Sequence, residues 1–341
     1  MNIKENRPLV SIAVATYNGG KYLRVQLDTL IAQTYTNLEI IVSDDGSTDG
    51  TLTTLIEYAG RYPHFSVYSN AAPHGIKRNF ENAIKYCNGT YISFCDQDDV
   101  WMPEKIEKLV NNIGNASLIY HNSLFVDYEG NSLDHTFMTK LNCYDGNDCR
   151  AFLLCNTVSG HALLFHRKML KLALPFPDAR HHDWWLAFRA AENGGVKYLD
   201  EVLVHYRQHP KSETDFLNLK KKKLTKEKID RDDIDWYETV ASAPGKHKKF
   251  FEKWVKVYKA RNDNFLNWEM FRMLSENMND VFYMRKKSSM STFLFILRIS
   301  WADYVRRGFR KIKNTILFRE TKVEDEGKEE EEREKLSNKA L

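Results

Sequence analysis

The chain of 341 residues holds no apolar run long enough to cross a membrane; a span needs about 18–20 consecutive apolar residues. Met1 to Pro8 is polar and charged and lacks the apolar stretch of a secretory signal. A cytoplasmic protein is therefore expected. Charge of one sign is also missing. Fifty Lys and Arg against 46 Asp and Glu leave a net +4, which gives no case for a nucleic-acid partner. Cysteine is sparse. Cys87, Cys95, Cys143, Cys149 and Cys155 form no CxxC pair and no zinc spacing, which excludes a disulfide framework and a zinc module. Cys87 and Cys95 fall on apolar faces and read as small core residues. No internal repeat is visible.

What is there is ordinary globular material, 43% hydrophobic and 28% charged, enough for a full core. The first half alternates two periodicities. Leu9 to Ala15 is apolar and β-prone and ends at Thr16-Tyr17-Asn18-Gly19-Gly20, a turn signal. Leu23, Leu27, Leu30 and Ile31 then share a helical face. Leu38 to Ser43 predicts a second strand, ending at Asp44-Asp45-Gly46-Ser47, with Asp49 placed to begin a helix. Phe65 to Tyr68 predicts a third strand; Ile76, Phe80, Ala83, Ile84 and Cys87 predict a helix; Tyr91 to Cys95 predicts a fourth strand, ending at Asp96. A further helix is expected after Pro103, with Ile106, Leu109, Val110 and Ile113 on its face. Strands alternating with amphipathic helices imply an α/β fold with a mostly parallel, Rossmann-like sheet and helices on both faces. Ligands of such sheets bind beyond the carboxyl ends of the strands, so the three polar clusters at strand ends are expected to converge.

From Ser117 to His209 the pattern is mixed, with a strand at Ala162 to Phe165, a helix at Asp183 to Glu192 and a strand at Val202 to Tyr206. Beyond Pro210 lie a lysine run, Lys220 to Lys223, and a charged, aromatic, helix-prone stretch. The expected organisation is an α/β ligand-binding domain over 1–215, a basic helical extension over 216–318 and an acidic, disordered tail over 319–341. Residues 291–318 combine Phe293, Leu294, Phe295, Ile296, Leu297, Ile299, Trp301 and Tyr304 with Arg306, Arg307, Arg310, Lys311 and Lys313. Three readings stay open for them: peripheral contact with an anionic membrane, a helix packed on the catalytic domain, or a homo-oligomer surface.

The clusters suit one kind of chemistry. Asp96-Gln97-Asp98 offers two carboxylates on one side of an extended segment, hard oxygen ligands for Mg2+ or Mn2+ bridging to phosphates. Asp44-Asp45-Gly46-Ser47 can offer a carboxylate to a base N–H or a ribose hydroxyl; the bland alternative is a solvated turn. Asp99 reads as a helix cap before Pro103, and Asp183, at the start of a helix, reads equally as a cap. Trp184 and Trp185 are either core or a sugar-stacking platform. His161 is either core or acceptor-side. Glu192 reads as a solvated helix residue.

Three stretches, "PLVSIAVATYNGGKYLRVQLDTLIAQTYTNLEIIVSDDGSTDGT", "GIKRNFENAIKYCNGTYISFCDQDDVWMPEKI" and "HDWWLAFRAAENGG", resemble the family 2 inverting glycosyltransferases of GT-A fold over residues 8–209. "DQDDVW" is similar to a subgroup of bacterial surface-polysaccharide enzymes, many of them rhamnosyltransferases. The resemblance implies that Thr16, Tyr17 and Asn18 line the base and ribose and that Asp45 hydrogen-bonds the base. It implies that Lys77, Arg78 and Asn79 lie near the base and diphosphate. Asp96 would approach the ribose and metal, and Asp98 would ligate Mn2+ or Mg2+ as the DXD motif. Asp183 would be the general base. Arg207 or His209 would contact the diphosphate or metal, His209 being the second ligand expected. The implied activity moves a sugar from a UDP- or dTDP-linked donor to a glycan or lipid-linked glycan acceptor. The competing reading is a catalytically inactive nucleotide-sugar-binding protein, which would bind nucleotide without transfer or hydrolysis.

Overall fold

A computed structural model describes residues 7–139, 141–209 and 226–301. The lysine run, the basic cluster from 306 to 313 and the acidic tail lie outside the described residues. The described residues build β1 (Val10–Thr16), α1 (Leu23–Ile31), β2 (Leu38–Asp44), α2 (Thr51–Arg61), β3 (Phe65–Ser69), α3 (Ile76–Lys85), β4 (Tyr91–Cys95), β5 (Val100–Trp101) and α4 (Lys105–Asn112). There follow β6 (Leu118–Val126), β7 (Ser132–Thr136), β8 (Leu163–His166), α5 (Leu170–Ala173), α6 (His182–Glu192), β9 (Val196–Arg207) and the helices α7 (Lys226–Ser242), α8 (Lys248–Lys259), α9 (Trp268–Glu276), α10 (Met278–Val281) and α11 (Ser289–Ile299).

One sheet of nine strands runs in the order β3-β2-β1-β4-β8-β6-β9-β5, with β7 paired to β6. The arm β3-β2-β1-β4 is parallel, as the alternating pattern predicts. Beyond it the sheet is mixed: β8 runs antiparallel to both β4 and β6, whereas β6 and β9 are parallel. Every residue of β1 is buried, the condition of a strand covered on both faces. Its alternate residues serve two cores. Val10, Ile12 and Val14 join Leu23, Leu27 and Leu30 of α1, Leu55 of α2 and Ile106 and Leu109 of α4. On the other face Phe94 of β4 meets Phe80 of α3, Phe165, Phe176 and His182. Each such aromatic, fully buried, contributes about 1.5–3 kcal/mol.

The chain forms two compact units. One comprises residues 1–252 and 278–287; the other comprises 253–277 and 288–341. The whole αβ sheet and every residue discussed as a site lie in the first. In the second, α9 and α11 join through Phe271 against Phe293. Among the described residues no helix is long and apolar enough to cross a membrane.

Candidate active site

From β1 the chain runs outward to β2 and β3, then returns to β4 on the far side of β1. That reversal is the switch point at which the loops after β1 and β4 diverge and leave a crevice. The crevice is a cavity of about 1120 Å³, and Thr16, Tyr17, Asn18, Asp45, Asn79, Asp96, Asp98 and His209 all line it. The three strand-end clusters therefore do converge. Lys21, Tyr22, His74, Gln97 and Arg207 complete much of its wall.

The loops after β1 and β2 are held by their own short polar side chains. Asn18 adopts a left-handed backbone, φ 48°, which asparagine tolerates better than most residues. Its N–H donates to Ser47 Oγ at 2.8 Å and its Oδ1 accepts from Thr48 N–H at 2.8 Å. Asp44 is wholly internal. It accepts from Thr16 Oγ1, Ser47 Oγ and the N–H groups of Gly46 and Ser47 at 2.6–3.1 Å. Asp45 faces the cavity with its carboxylate held by Asn70 Nδ2, His74 Nδ1 and Gly75 N–H at 2.7–2.8 Å. Asn79 Nδ2 donates to the Thr16 carbonyl at 3.0 Å.

The loop after β4 is electrostatically different. Asp98 Oδ2 pairs with His209 Nε2 at 2.8 Å. Asp99 is buried, and its Oδ1 accepts the Arg207 N–H at 3.0 Å. Its Oδ2 is buried with no hydrogen-bond partner. Asp99 is thus not a cap. Helix α4 begins at Lys105 after Glu104, with no side-chain cap, because Asp99 has been drawn into the interior by β9. Burial, then Asp98 and Asp96, push the Asp99 carboxyl well above the usual carboxylate range. Lys105 is buried behind this loop. Its Nζ donates to the His161 carbonyl at 2.6 Å and sits 3.0 Å from the centroid of the Trp101 ring. Burial pulls its ammonium well below the usual range, opposed by Cys95, Asp99 and Asp96. Sequence reasoning passed over Lys105; a lysine inside the apolar stripe of Ile106 and Leu109 was the available signal.

Arg207 Nε donates to the Asp98 carbonyl at 2.8 Å, and its guanidinium lies 4.8 Å from the Tyr22 ring centroid. The His209 ring stacks on Tyr22 at 5.3 Å. Lys21 Nζ lies 4.8 Å from the same ring, so one aromatic residue gathers three basic side chains at the cavity wall.

Asp96, Asp99 and His161 bring one ligand atom each within 4.8 Å of one another. Both His161 nitrogens, however, already meet hydroxyls, Ser123 Oγ at 2.8 Å and Ser159 Oγ at 3.0 Å, and the ring stacks on Tyr206 at 4.1 Å. His161 is a satisfied core residue.

Lys77 and Arg78 do not line the cavity. Lys77 Nζ donates to the carbonyls of Pro177, Asp178 and Arg180 at 2.6–3.1 Å. Arg78 pairs with Glu81 and Asp178, and Glu81 accepts the Phe176 N–H. These side chains brace the turn that leads into α6. There Asp183 occupies the first helical turn, after His181 as cap residue. Its Oδ1 accepts the Trp184 N–H at 2.5 Å and its Oδ2 the Gly160 N–H at 3.0 Å. Burial raises the Asp183 carboxyl above its ordinary value, against His181 and those two N–H groups. Asp183 is not among the residues lining the cavity. Trp184 Nε1 donates to the Phe152 carbonyl and Trp185 Nε1 to the Ala173 carbonyl. Glu192 is not solvated: its side chain is 6% exposed, facing Arg189 and accepting the His247 N–H, because the turn at Gly245 lies directly over it.

Residues 11–172 match the family model described as Glycosyl transferase family 2. An uncharacterized glycosyltransferase of Rickettsia typhi is 32% identical over 209 residues, 59% of this chain and 64% of that protein. The chain therefore spans less than two thirds of that relative's length. Among solved structures, TarS of S. aureus in complex with UDP-GlcNAc is 17% identical over 80% of this chain and 81% of that one, with a TM-score of 0.56. The mannosyltransferase PcManGT of Pyrobaculum calidifontis, in complex with GDP-Man and Mn2+, is 16% identical over 87% of this chain and 86% of that one, with a TM-score of 0.50. The fold is GT-A-like, with C-terminal helices.

Proposed function

We propose that the protein, whose residues 11–172 match the model of glycosyl transferase family 2, is an inverting glycosyltransferase. It would move a sugar from a UDP- or dTDP-linked donor to a hydroxyl of a glycan or lipid-linked glycan acceptor, in bacterial surface-polysaccharide synthesis. Rhamnose is the sugar suggested by the "DQDDVW" subgroup. The observation that carries this reading is the meeting of Thr16, Asp45, Asn79, Asp96, Asp98 and His209 around one cavity at the switch point of the sheet. Structures of similar fold that were solved with UDP-GlcNAc and with GDP-Man and Mn2+ support it.

In this reading Asp45, held in place by three donors, accepts the N3–H of a pyrimidine base. Thr16, Tyr17, Asn18 and Asn79 flank the base and ribose. Asp96 takes the ribose side, and Asp98 with His209 would hold Mn2+ or Mg2+. The donor set fits a divalent ion: hard carboxylate oxygens, an imidazole and a buried Asp99 oxygen without a partner. A bound ion would offset charge on the leaving diphosphate. Lys77 and Arg78 act through the turn before α6 rather than by touching the nucleotide.

An acceptor hydroxyl is a poor nucleophile, so a carboxylate must take its proton as it attacks C1 from the side opposite the diphosphate. Asp183 is that base. Its raised carboxyl is a better proton acceptor than an ordinary aspartate once ionised. The bond from C1 to the diphosphate breaks as the new glycosidic bond forms, which inverts the anomeric centre without a covalent enzyme intermediate. A donor screen with Mn2+ or Mg2+, reading nucleoside diphosphate release, tests the proposal. Tight nucleotide binding with neither transfer nor hydrolysis for any donor would favour the inactive binding protein instead.

Peripheral membrane contact belongs to the same proposal, since α11 exposes Met290, Phe293 and Leu294. Sedimentation with anionic vesicles should weaken in Leu294→Glu; unchanged binding would remove this part.

A further inference from the structure

Resting on the sugar-transfer reading for its purpose but not for its geometry, we infer that Gln97 is a positioning residue that locks the two walls of the cavity together. The parallel ladder between β1 and β4 runs in register from Val10↔Tyr91 to Val14↔Cys95 and stops there. Beyond that point the loops after the two strands carry the Thr16–Asn18 wall and the Asp96–Asp98 wall respectively. Across the gap the Gln97 amide does what a peptide group would. Its Oε1 accepts the Tyr17 N–H at 2.9 Å, and its Nε2 donates to the Tyr17 carbonyl at 3.0 Å. A primary amide presents the same donor and acceptor as a backbone unit, so the side chain extends the ladder past its end.

The opposite flank of the same loop is anchored elsewhere. Asn18, Gly19 and Gly20 donate their N–H groups to Ser47 Oγ, Thr51 Oγ1 and Asp49 Oδ2 of the segment after β2. Tyr17 is thus the hinge between a flank tied to the β2 side and a flank tied to Gln97. The fit has been made specifically for this amide. A Cβ at Gly19 would lie 2.3 Å from Gln97 Oε1 and 2.6 Å from its Cδ, so only glycine leaves room for it. Gln97 lines the cavity between two aspartates assigned to the donor's ribose and metal, and its reach fixes how far those carboxylates stand from the base-side loop. A donor that must touch both walls at once then meets a preformed spacing rather than one it has to impose.

Amide hydrogen exchange on the full chain tests the clamp without any ligand. In Gln97→Ala the Tyr17 amide should exchange at least about tenfold faster, while Val14 and Ala13 keep their protection. Binding of UDP and dTDP, measured by calorimetry with and without Mn2+, should weaken by about tenfold. Binding of Mn2+ alone and the thermal midpoint should stay unchanged. Gly19→Ala, which displaces the amide without deleting it, should do the same, and the double variant should be no worse than Gln97→Ala. Unchanged Tyr17 exchange in Gln97→Ala would overturn the clamp. Faster exchange with full nucleotide affinity would overturn its positioning role. Weaker binding without faster exchange, or additive losses in the double variant, would mean that Gln97 touches the nucleotide directly and the inference is wrong. If the wild type binds neither nucleotide, the sugar-transfer reading falls, and Tyr17 exchange still decides the clamp.

Discussion

Two acidic clusters stand at the ends of β2 and β4, the strands on either side of β1, and Asp44 in one and Asp99 in the other are built on opposite principles. After β2, Asp44 is completed from within: hydroxyls and N–H groups of Thr16, Gly46 and Ser47 meet its oxygens, and none is spared for a ligand. After β4, Asp96, Asp98 and Asp99 crowd together, Asp99 is driven up by burial and by its two neighbours, and one of its oxygens is buried without a partner. Asp44 is a finished piece of architecture that shapes a loop, while Asp45 beside it lines the cavity. The second cluster leaves negative charge to be met by something else, in part Lys105 from behind and His209 from the side. Between Asp44 and Asp99, the carboxylate whose bonds are satisfied from within holds a loop, and the one with an oxygen left bare keeps acceptor capacity for a ligand.

The sharpest test of this contrast is substitution in each cluster. Asp98→Asn should cut transfer by about a hundredfold to ten-thousandfold with little loss of stability, and Asp183→Asn should cut it as far at some cost in stability, because both Asp183 oxygens accept N–H groups. Nucleoside diphosphate release under Mn2+ measures it, and full activity in either variant would remove that residue from its role. Asp44→Asn should do the reverse. Replacing an acceptor oxygen by an amide nitrogen leaves buried donors unmatched and should cost about 2–3 kcal/mol in urea unfolding, with nucleotide affinity of the folded protein kept within about fivefold. Equal effects on stability in the two clusters would break the comparison.

The pH dependence follows from Asp183. Its folded-state carboxyl lies above 3.8, so the protonated form persists to higher pH than in an ordinary aspartate. As the proposed base, Asp183 would work only when ionised, and kcat/KM should therefore rise with pH along an acid limb placed above 3.8. The same shift means that Asp183 contributes stability that is full below 3.8 and is lost as pH rises through the raised value. An acid limb at or below the ordinary carboxylate value would count against Asp183. The smallest effect is expected from His74→Ala, which removes one exposed donor of the three that hold Asp45. Asn70 and Gly75 keep the carboxylate in place, so nucleotide affinity should fall by only about two- to threefold.

Much of this was legible beforehand. The first four strands and their helices repeat a pattern that local physics reads well: buried parallel strands as continuous apolar runs, helices as apolar stripes. The region after Ser117 was harder. β6 (Leu118–Val126) has no clean alternation because it sits in the middle of the sheet between β8 and β9. β9 extends back to Val196 through the polar stretch Lys197 to Glu201, which no strand pattern announces. Asp99, read as a helix cap, and Glu192, read as solvated, were misplaced for one reason: each is covered by a segment far away in sequence, Asp99 by β9 and Glu192 by the turn at Gly245.

The sequence by itself determined the order of elements through β4, the parallel arm and the presence of three polar clusters at strand ends, because those follow from short-range periodicity and turn chemistry. Only the tertiary structure decided which carboxylates are satisfied and which are left wanting. It buried Lys105 behind Asp99, turned Lys77 and Arg78 toward the turn before α6, and set Gln97 against Tyr17. Those outcomes depend on hydrogen bonds between residues 56 or more positions apart, such as His209 with Asp98 and Gln97 with Tyr17, which are 111 and 80 positions apart. A hydrogen bond has no signature in local sequence when its two halves meet only after the sheet has closed.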